Sequence, residues 1–306
     1  MRIWKSAGIL VLLVTTLIAP GGCSKTEKPA PAPEFQGQDL LIGLIPEQNL
    51  FRQFERYEPL AAYLSKKIGR NVKLTVLPRY GNIVDNFASN GLDAAFFGSF
   101  TYALAHAKMG VEVLARPEYL NGTSTYHGLI FVRKDSRIAS VKDMAGKRFA
   151  FVDKATTAGY LLPLAYFKKH NVNYKKYLKE WYFTGTHEDA ILDVLNRKAD
   201  IGAAKNTVFE RISASDSRIK NELIILEKSP DVPENGLAVR KDLDAVTKRK
   251  LKDALLAMHE DSAGSAVLKA FGARRFIETT EKDYQPVYRY AQETDLDLAT
   301  YDYRNE

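Results

Sequence analysis

The apolar residues of this chain alternate between short runs of strand type and stretches with helical spacing. Leu40–Ile45 and Ala94–Phe97 are continuous apolar runs typical of buried strands, whereas Leu60, Leu64 and Ile68 recur at helical spacing. Strand runs followed by helical segments are typical of an α/β protein whose sheet is covered by helices. We therefore predict an α/β fold with mixed, mostly parallel sheets flanked by helices.

The same pattern predicts further elements along the chain. Pro59 is best tolerated in the first turn of a helix, which predicts a helix beginning just before it. A second α/β unit is expected to contain Phe149–Val152, Tyr160–His170, Trp181–Phe183 and Ile201–Ala204. The region from Leu243 to Asp295 is predicted to be mainly helical.

Two similar segments of sequence indicate how the chain divides into lobes. Gly128–Asp135 is similar to Gly236–Asp242, and these two strand-like runs lie on either side of the second α/β unit. We interpret them as the places where the chain crosses to a second lobe and returns. Lobe 1 is then expected to comprise residues 38–130 and 238–306, lobe 2 residues 131–237, with two hinge strands between them.

The N-terminus has the layout of an export signal. Two basic residues precede the apolar stretch Ser6–Ala19, and small residues lead into Cys23, the only cysteine of the chain. This predicts a lipoprotein signal over residues 1–22 with lipidation at Cys23, although Pro20 stands where such signals usually carry leucine. An ordinary cleaved signal or an uncleaved anchor is the alternative. Residues 23–37 are rich in proline and polar residues and are predicted to be an extended linker.

Charge and composition exclude several function classes. Removing Arg2 and Lys5 with the signal lowers the formal net charge from +7 to +5, without a dense basic block, so nucleic acid is not an expected partner. The single cysteine excludes a disulfide framework. The five histidines are scattered without metal-ligand spacing, so we expect neither a metal nor a cofactor.

Three helix starts that follow predicted strands could bind an anion. The first N–H groups of a helix have no partner within it, and the helix dipole favours negative charge there. The candidates are Phe97–Thr101, Ala155–Gly159 and Thr184–Glu188. Pro163 requires the second helix to begin near Gly159, which is expected to leave the N–H groups from Thr156 to Gly159 free for a ligand. By itself, each start is most often an ordinary helix cap.

Taken together, several motifs resemble one family. The motifs that occur in the order and spacing of that family are Pro59–Leu64, Pro78–Tyr80, Asp93–Gly98, Tyr126–Gly128, Ser140–Lys147, Thr156–Gly159 and Gly185–Glu188. The chain resembles, over about residues 39–275, the PhnD-like phosphate-, phosphite- and phosphonate-binding proteins of ABC transporters. The resemblance implies a periplasmic binding protein of type II topology whose two lobes close on the ligand. It also implies an ABC permease and ATPase as partners.

The resemblance also implies a ligand site. Matching positions carry the ligand-binding role to Tyr80, Gly98, Ser99, Tyr126, Thr156, Thr157, Ala158 and His187. Ala158 has lost the hydroxyl of the family motif, so only its N–H can contribute. Members that bind aminoethylphosphonate place acidic residues in lobe 2, whereas Ala204–Thr207 and Pro233–Gly236 carry few acids and a lysine. We therefore expect a compact anion: phosphate, phosphite or a simple phosphonate.

Other functions were weighed against this one. An enzyme is not expected, because the chain shows no Ser–His–acid signature and its only cysteine lies in the signal. The same lobes could instead present a bound anion to a membrane sensor kinase or chemoreceptor, or bind sulfate or a carboxylate. We expect an exported monomer, anchored by lipid to the cell envelope on the periplasmic or outer face.

Overall fold

The computed structural model of the protein describes residues 38–89 and 91–305. The predicted signal (1–22), Cys23 and the predicted linker (23–37) lie outside the described residues. Within the described ranges, no helix is both long and apolar enough to cross a bilayer.

Strands and helices alternate along most of the described chain. The strands are β1 (Leu40–Leu44), β2 (Val72–Val76), β3 (Ala94–Phe97), β4 (Glu112–Tyr119), β5 (Thr125–Tyr126), β6 (Gly128–Arg133), β7 (Arg148–Phe151), β8 (Glu180–Phe183), β9 (Ile201–Lys205), β10 (Leu223–Lys228), β11 (Val232–Pro233), β12 (Gly236–Val239) and β13 (Ala273–Glu278). The α-helices are α1 (Leu50–Ile68), α2 (Asn82–Ser89), α3 (Ser99–Met109), α4 (Leu162–Lys169), α5 (Tyr174–Tyr177), α6 (His187–Leu195), α7 (Asn206–Ser215), α8 (Arg218–Glu222), α9 (Ala245–Leu256), α10 (Ser262–Phe271) and α11 (Gln285–Glu293). A π-helical turn, Thr157–Leu161, precedes α4. The predicted α/β fold is confirmed.

The strands form two main sheets. The first has the order β13-β4-β12-β3-β1-β2, and the second has the order β10-β6-β9-β7-β8. Helices cover both sheets: Leu40, Ile42 and Leu44 of β1, for example, share a buried cluster with Leu60 and Leu64 of α1. Burying each such side chain contributes about 1.5–3 kcal/mol relative to its exposure. The two sheets are the frames of the two predicted lobes.

The sheets are mixed, and most of their strands run in one direction, as predicted. In the described part of the chain, β1 pairs with β2 and β3 in parallel, and β4 has the same direction, while β12 runs antiparallel to both β3 and β4. In the second sheet β7 has two parallel neighbours, and β6 runs antiparallel to both of its own. The return of the chain from the second sheet adds an opposing strand to the first, because β12 enters between β3 and β4 and runs against both.

The chain passes between the sheets twice, and the two passages pair with each other. Short β5 leads from β4 to β6, short β11 leads from β10 to β12, and Tyr126 pairs with Val232 across them. The hinge strands are therefore β5 and β11. They lie just before the two similar runs, 128–135 and 236–242, that the sequence predicts as the hinge. Those runs belong wholly to one sheet each, since β6 pairs with β9 and β12 pairs with β3.

Sheet membership moves both predicted lobe boundaries by two or three residues. Gly128–Ile130 was assigned to lobe 1 but pairs with the second sheet, and Gly236 and Leu237 were assigned to lobe 2 but pair with the first. The cause is the position of β5 and β11, because each of them completes the passage between the sheets before the similar run begins. The division into 38–130 with 238–306 and 131–237 as bodies that move against each other stays a proposal.

One local prediction is wrong. Helix α1 begins at Leu50 rather than near Pro59, because the Asn49 side chain caps it by accepting the Phe51 N–H at 3.1 Å. Pro59 lies inside α1, where it leaves the carbonyl of the exposed Glu55 without a helical donor. The region after Leu243 is mainly helical, as predicted, and it also contains β13, which completes the first sheet beside β4.

Candidate functional site

Helix α3 presents its first N–H groups at the end of β3. Gly98 caps the helix in an extended conformation, and the first helical bond runs from the Tyr102 N–H to the Gly98 carbonyl at 2.8 Å. A Cβ at Gly98 would lie 3.2 Å from both the Ile45 side chain and the Thr101 hydroxyl. Glycine therefore permits a close approach of the backbone at this position.

The second predicted segment forms a π-helical turn rather than an ordinary helix start. Its first bond runs from the Leu161 N–H to the Thr156 carbonyl at 3.1 Å, so the N–H groups of Thr157 to Gly159 have no acceptor within the helix. Pro163 lies in the first turn of α4, as its missing N–H requires. The location of this helix start agrees with the prediction from Pro163.

One of the expected free donors is not free. Both the N–H and the hydroxyl of Thr156 donate to the Asp153 carbonyl, at 3.0 and 2.7 Å. The expectation that the Thr156 N–H points at a ligand is therefore wrong, because a tight turn from Asp153 to Thr156 uses it. The hydroxyl oxygen of Thr156 can still accept a hydrogen bond.

The two segments meet face to face. The Ser99 hydroxyl lies 2.9 Å from the Thr157 hydroxyl, and the Phe100 N–H donates to the same Thr157 oxygen at 3.0 Å. The hydroxyls of Ser99 and Tyr126 lie 2.6 Å apart. Since Ser99 follows β3 of the first sheet and Thr157 follows β7 of the second, these bonds join the two halves of the molecule.

Tyr80 contributes a buried donor without a partner. Its side chain is 3 % exposed, and its hydroxyl has no hydrogen-bond partner among the described residues. Burial, together with the nearby Glu47 carboxylate, raises the pKa of Tyr80 well above its usual value, so the hydroxyl stays protonated. A buried hydroxyl left unpaired costs about 1–3 kcal/mol, which a ligand oxygen could offset.

His187 contributes a second neutral donor. It is the first residue of α6, and its Nδ1 accepts the Lys205 N–H at 3.3 Å, so the proton of the neutral ring is on Nε2. Burial lowers the pKa of His187 to about 3 despite the opposing Glu47 carboxylate. The ring packs edge-on against Tyr80 with 5.8 Å between centroids. A neutral imidazole at this place can donate one hydrogen bond without adding charge.

A small cavity lies where these elements converge. Its volume is about 10 Å³. The residues that line it are Ile45, Glu47, Tyr80, Gly98, Phe100, Thr101, Tyr126, Ala155, Thr156, Thr157, His187, Lys205 and Asn235. Six of the eight predicted site residues are in that lining. Ser99 is wholly buried and reaches the cavity through its bonds to Tyr126 and Thr157, while Ala158 packs against Gly128. The ligand-binding role of all eight stays a prediction.

Beside the cavity lies a buried ion cluster that the sequence interpretation missed. The Lys205 ammonium contacts the carboxylates of Glu47, at 2.8 Å, and Glu234, and the side-chain oxygen of Asn235 at 3.1 Å. Two acids therefore lie here, although the two stretches compared in the sequence carry only one of them. Glu234 lies within Pro233–Gly236, and Glu47 lies in the loop after β1. Apart from its position at the end of a strand, nothing in the sequence around Glu47 indicates a place in the cluster.

The charges of this cluster stabilise each other. Burial by itself disfavours both charged forms, but the glutamates outweigh it and raise the pKa of Lys205 above its usual range. Burial likewise acts against the Glu47 carboxylate, yet Lys205 and Arg211 lower the pKa of Glu47 to about 2. Lys205 and Glu47 are therefore both charged at neutral pH. Within the described ranges, no group of His, Cys, Asp or Glu is arranged to hold a metal ion.

Comparison with known proteins agrees with this architecture. The family described as "ABC transporter, phosphonate, periplasmic substrate-binding protein" matches residues 42–284. The phosphonates-binding periplasmic protein of Escherichia coli K12 is 25 % identical, over 91 % of this chain and 80 % of the relative. The phosphate-import protein PhnD of Mycolicibacterium smegmatis is 26 % identical, over 91 % of this chain and 88 % of the relative.

Solved structures show the same fold. The binding-protein component of an ABC phosphonate transporter from Pseudomonas aeruginosa superimposes with a TM-score of 0.78 at 25 % identity, covering 84 % of this chain and 87 % of that one. PhnD1 of Prochlorococcus marinus, in complex with methylphosphonate, gives 0.75 at 22 % identity, covering 84 % and 98 %. The predicted two-lobed type II fold and the prediction of a binding protein rather than an enzyme are confirmed. The chain belongs to the family of periplasmic substrate-binding proteins of phosphonate ABC transporters.

Proposed function

We propose that this protein captures a compact phosphorus oxyanion, namely phosphate, phosphite or a simple phosphonate, in the cavity between its lobes. The observation that carries this proposal is the buried, unpartnered hydroxyl of Tyr80 in a cavity at two helix starts. Desolvating an oxyanion requires several aligned donors. The hydroxyl of Tyr80, the Nε2–H of His187 and the N–H groups of residues 157–159 supply such donors.

The volume of the cavity favours a compact ligand. A cavity of roughly 10–15 Å³ holds about one water molecule. The cavity between the helix starts has a volume of about 10 Å³. A phosphate, a phosphite or a phosphonate with a methyl group would therefore displace its walls least, and a longer substituent would displace them more.

Binding is proposed to be coupled to closure of the lobes. Tyr80, Gly98 and Ser99 lie with the first sheet, Tyr126 lies in the hinge, and Thr157 lies with the second sheet. A ligand that touches both halves favours the closed state by its differential affinity for that state. The closed form is then the one that an ABC permease would recognise for import.

A screen of ligands tests the proposal directly. Thermal unfolding is followed with phosphate, phosphite, methylphosphonate and sulfate, each at several concentrations. At a ligand concentration of about 100 times Kd, binding stabilises the native state by about 2.7 kcal/mol, so a true ligand raises the Tm clearly. We expect at least one phosphorus oxyanion to do so more strongly than sulfate. Stabilisation by sulfate alone, or by none of the four, would contradict the proposal.

We also propose that Cys23 is lipidated and holds the protein at the cell envelope. The support is the sequence pattern of the N-terminus, with its apolar stretch and a single cysteine after small residues. Cells given labelled palmitate should incorporate label into the wild-type protein but not into the Cys23→Ser variant. Equal labelling of both proteins, or of neither, would contradict lipidation at Cys23.

A further inference from the structure

We propose that Lys205 determines the ligand specificity of the cavity, because its ammonium fills the carboxylate-lined place that a cationic group on a ligand would need. The protein should accordingly reject phosphorus oxyanions that carry an ammonium group. This inference rests on the proposed function, and it concerns which members of that ligand class are accepted.

The Lys205 ammonium has no donor left for an anion. An ammonium group has three N–H donors. Here three acceptors surround it: Glu47 at 2.8 Å, Asn235 at 3.1 Å, and Glu234 in direct contact. The side chain is 2 % exposed. Lys205 is therefore saturated by the protein itself and acts as a wall of the cavity rather than as a direct ligand of the anion.

The Lys205 ammonium also lies directly beside the anion-binding groups. Its Nζ is 4.4 Å from the centroid of the Tyr126 ring, whose hydroxyl is bonded to Ser99. The backbone N–H of Lys205 donates to Nδ1 of His187 and so fixes the tautomer of that ring. Lys205, Glu47 and Asn235 line the same cavity as these groups, so a substituent of two or three atoms on a phosphonate held there would lie within their reach.

On its other side the cluster borders a wide groove. The groove has a volume of about 810 Å³, and its lining includes Arg56, Asn206 and Arg211. Asn206 follows Lys205 in the chain, and both arginines act electrostatically on Glu47. Lys205 thus lines the small cavity and is followed in the chain by a residue that lines the groove. Truncating the Lys205 side chain would extend the cavity and leave the two carboxylates without their cation.

The test compares two ligands of the same shape. In 2-aminoethylphosphonate an ammonium replaces the terminal methyl group of n-propylphosphonate, so their relative affinity reports charge rather than size. For the wild type, calorimetry should give a Kd for 2-aminoethylphosphonate at least a hundredfold above that for methylphosphonate. In Lys205→Ala, 2-aminoethylphosphonate should bind at least tenfold more tightly than n-propylphosphonate, because the two free carboxylates can pair with its ammonium.

Two further variants control the experiment. Lys205→Met fills the same space without charge, and it should gain no affinity for either longer ligand. If Lys205→Ala does not fold, Lys205→Ala combined with Glu234→Gln removes one unpaired carboxylate and keeps Glu47 for the ammonium. Circular dichroism and Tm identify the folded variants before the ligands are compared.

Two results would overturn the inference. One is a wild type that binds 2-aminoethylphosphonate within tenfold of methylphosphonate. The other is a folded alanine variant, single or double, with no preference for 2-aminoethylphosphonate over n-propylphosphonate. A failure of the proposed function gives a different result from a failure of this inference. In that case the wild type binds none of the compact anions, whichever ligand the variants prefer.

Discussion

The hydroxyl of Ser99 lies 2.9 Å from the hydroxyl of Thr157, although the two residues follow strands of different sheets. The Thr157 oxygen also accepts the Phe100 N–H at 3.0 Å. One threonine side chain thus connects the helix start of the first sheet to the helix start of the second. Any ligand between the sheets has this threonine at the junction of its two binding surfaces.

Replacing Thr157 should therefore weaken anion binding. Thr157→Val keeps the shape but removes the hydroxyl, leaving the Phe100 N–H without its acceptor. In the proposed site the Thr157 hydroxyl would also donate to the anion, and losing a hydrogen bond to a charged group costs about 1.5–3 kcal/mol, which corresponds to a roughly tenfold to hundredfold rise in Kd. Calorimetry with the tightest phosphorus oxyanion measures the effect. Thr157→Ser keeps the hydroxyl and should stay within a few fold of the wild type, and wild-type affinity in Thr157→Val would refute the role.

Tyr80→Phe should separate binding from stability. The Tyr80 hydroxyl is buried without a partner, so its removal should leave the Tm of the ligand-free protein unchanged or slightly raised. The same change should raise the Kd for the anion about tenfold, because the ligand loses a donor. Tyr182→Phe is the matched control, since the Tyr182 hydroxyl donates to Asp193 at 3.0 Å and does not line the cavity. That variant should lose stability but keep affinity. The opposite pattern in the two variants would contradict the assignment of Tyr80.

His187 should make the ligand-free protein sensitive to mild acid. Its pKa is about 3 in the folded state against an ordinary value of 6.5, so between these limits the unfolded state binds more protons. The free energy of unfolding should then fall as the pH drops below 6.5, by at most about 1.4 kcal/mol per pH unit from this group. His187→Gln should lack this contribution.

Urea unfolding at several pH values above 4.5 measures the contribution of His187. Glu47, with its pKa lowered to about 2 from 4.5, contributes stability that is lost only below this window. The remaining histidines are common to both proteins and cancel in the difference. The difference in unfolding free energy between wild type and His187→Gln should change steadily as the pH falls from about 6.5 to 4.5. Parallel curves would mean that His187 is not held neutral by burial.

The two helix starts at the cavity could be predicted because their signals are local. A strand, a short turn of small or hydroxyl residues and a helix start are neighbours in the chain, as at Gly98 and Thr157. Pro163 even located the helix start, since a missing N–H is tolerated only near a helix end. The predictions that rested on such local chemistry agree with the structure more closely than the predicted hinge strands, which depend on how distant strands pair.

The Lys205 cluster could not be predicted in the same way. Lys205 and Glu47 are 158 residues apart in sequence and meet only after both sheets have formed. Nothing local distinguishes Glu47 from a surface carboxylate. Helix α1 also shows that local rules can fail. Proline lacks an N–H and is disfavoured inside a helix, but Pro59 lies inside α1 because Leu60 and Leu64 of this helix pack against β1. Tertiary contacts decided both cases.

The C-terminal segment lies against both halves of the proposed anion site. The Tyr303 hydroxyl donates to Asp85 of α2 at 2.6 Å, and the Asn305 side chain donates to Asp153 at 2.8 Å. A Cβ added to Gly81 would lie 2.6 Å from the Tyr303 ring, so glycine is what allows this close packing. Gly81 follows Tyr80, and Asp153 bonds the Thr156 side chain through its carbonyl. This segment lies beyond residues 42–284, where the family matches.

Gly81→Ala should therefore disturb the site through Tyr303. The added methyl group overlaps the Tyr303 ring and should destabilise the ligand-free protein by about 1–3 kcal/mol, with a measurable rise in the Kd for the anion because Tyr80 adjoins the change. Tyr303→Ala on its own removes the ring and should cost less affinity. Combining the two removes the overlap, so the double variant should be more stable than the sum of the single effects by at least about 0.5 kcal/mol. Denaturant unfolding and calorimetry on all four proteins give the coupling between the two positions. Strictly additive effects would show that the alanine acts on the backbone of residue 81, and that the C-terminal segment does not support the anion site.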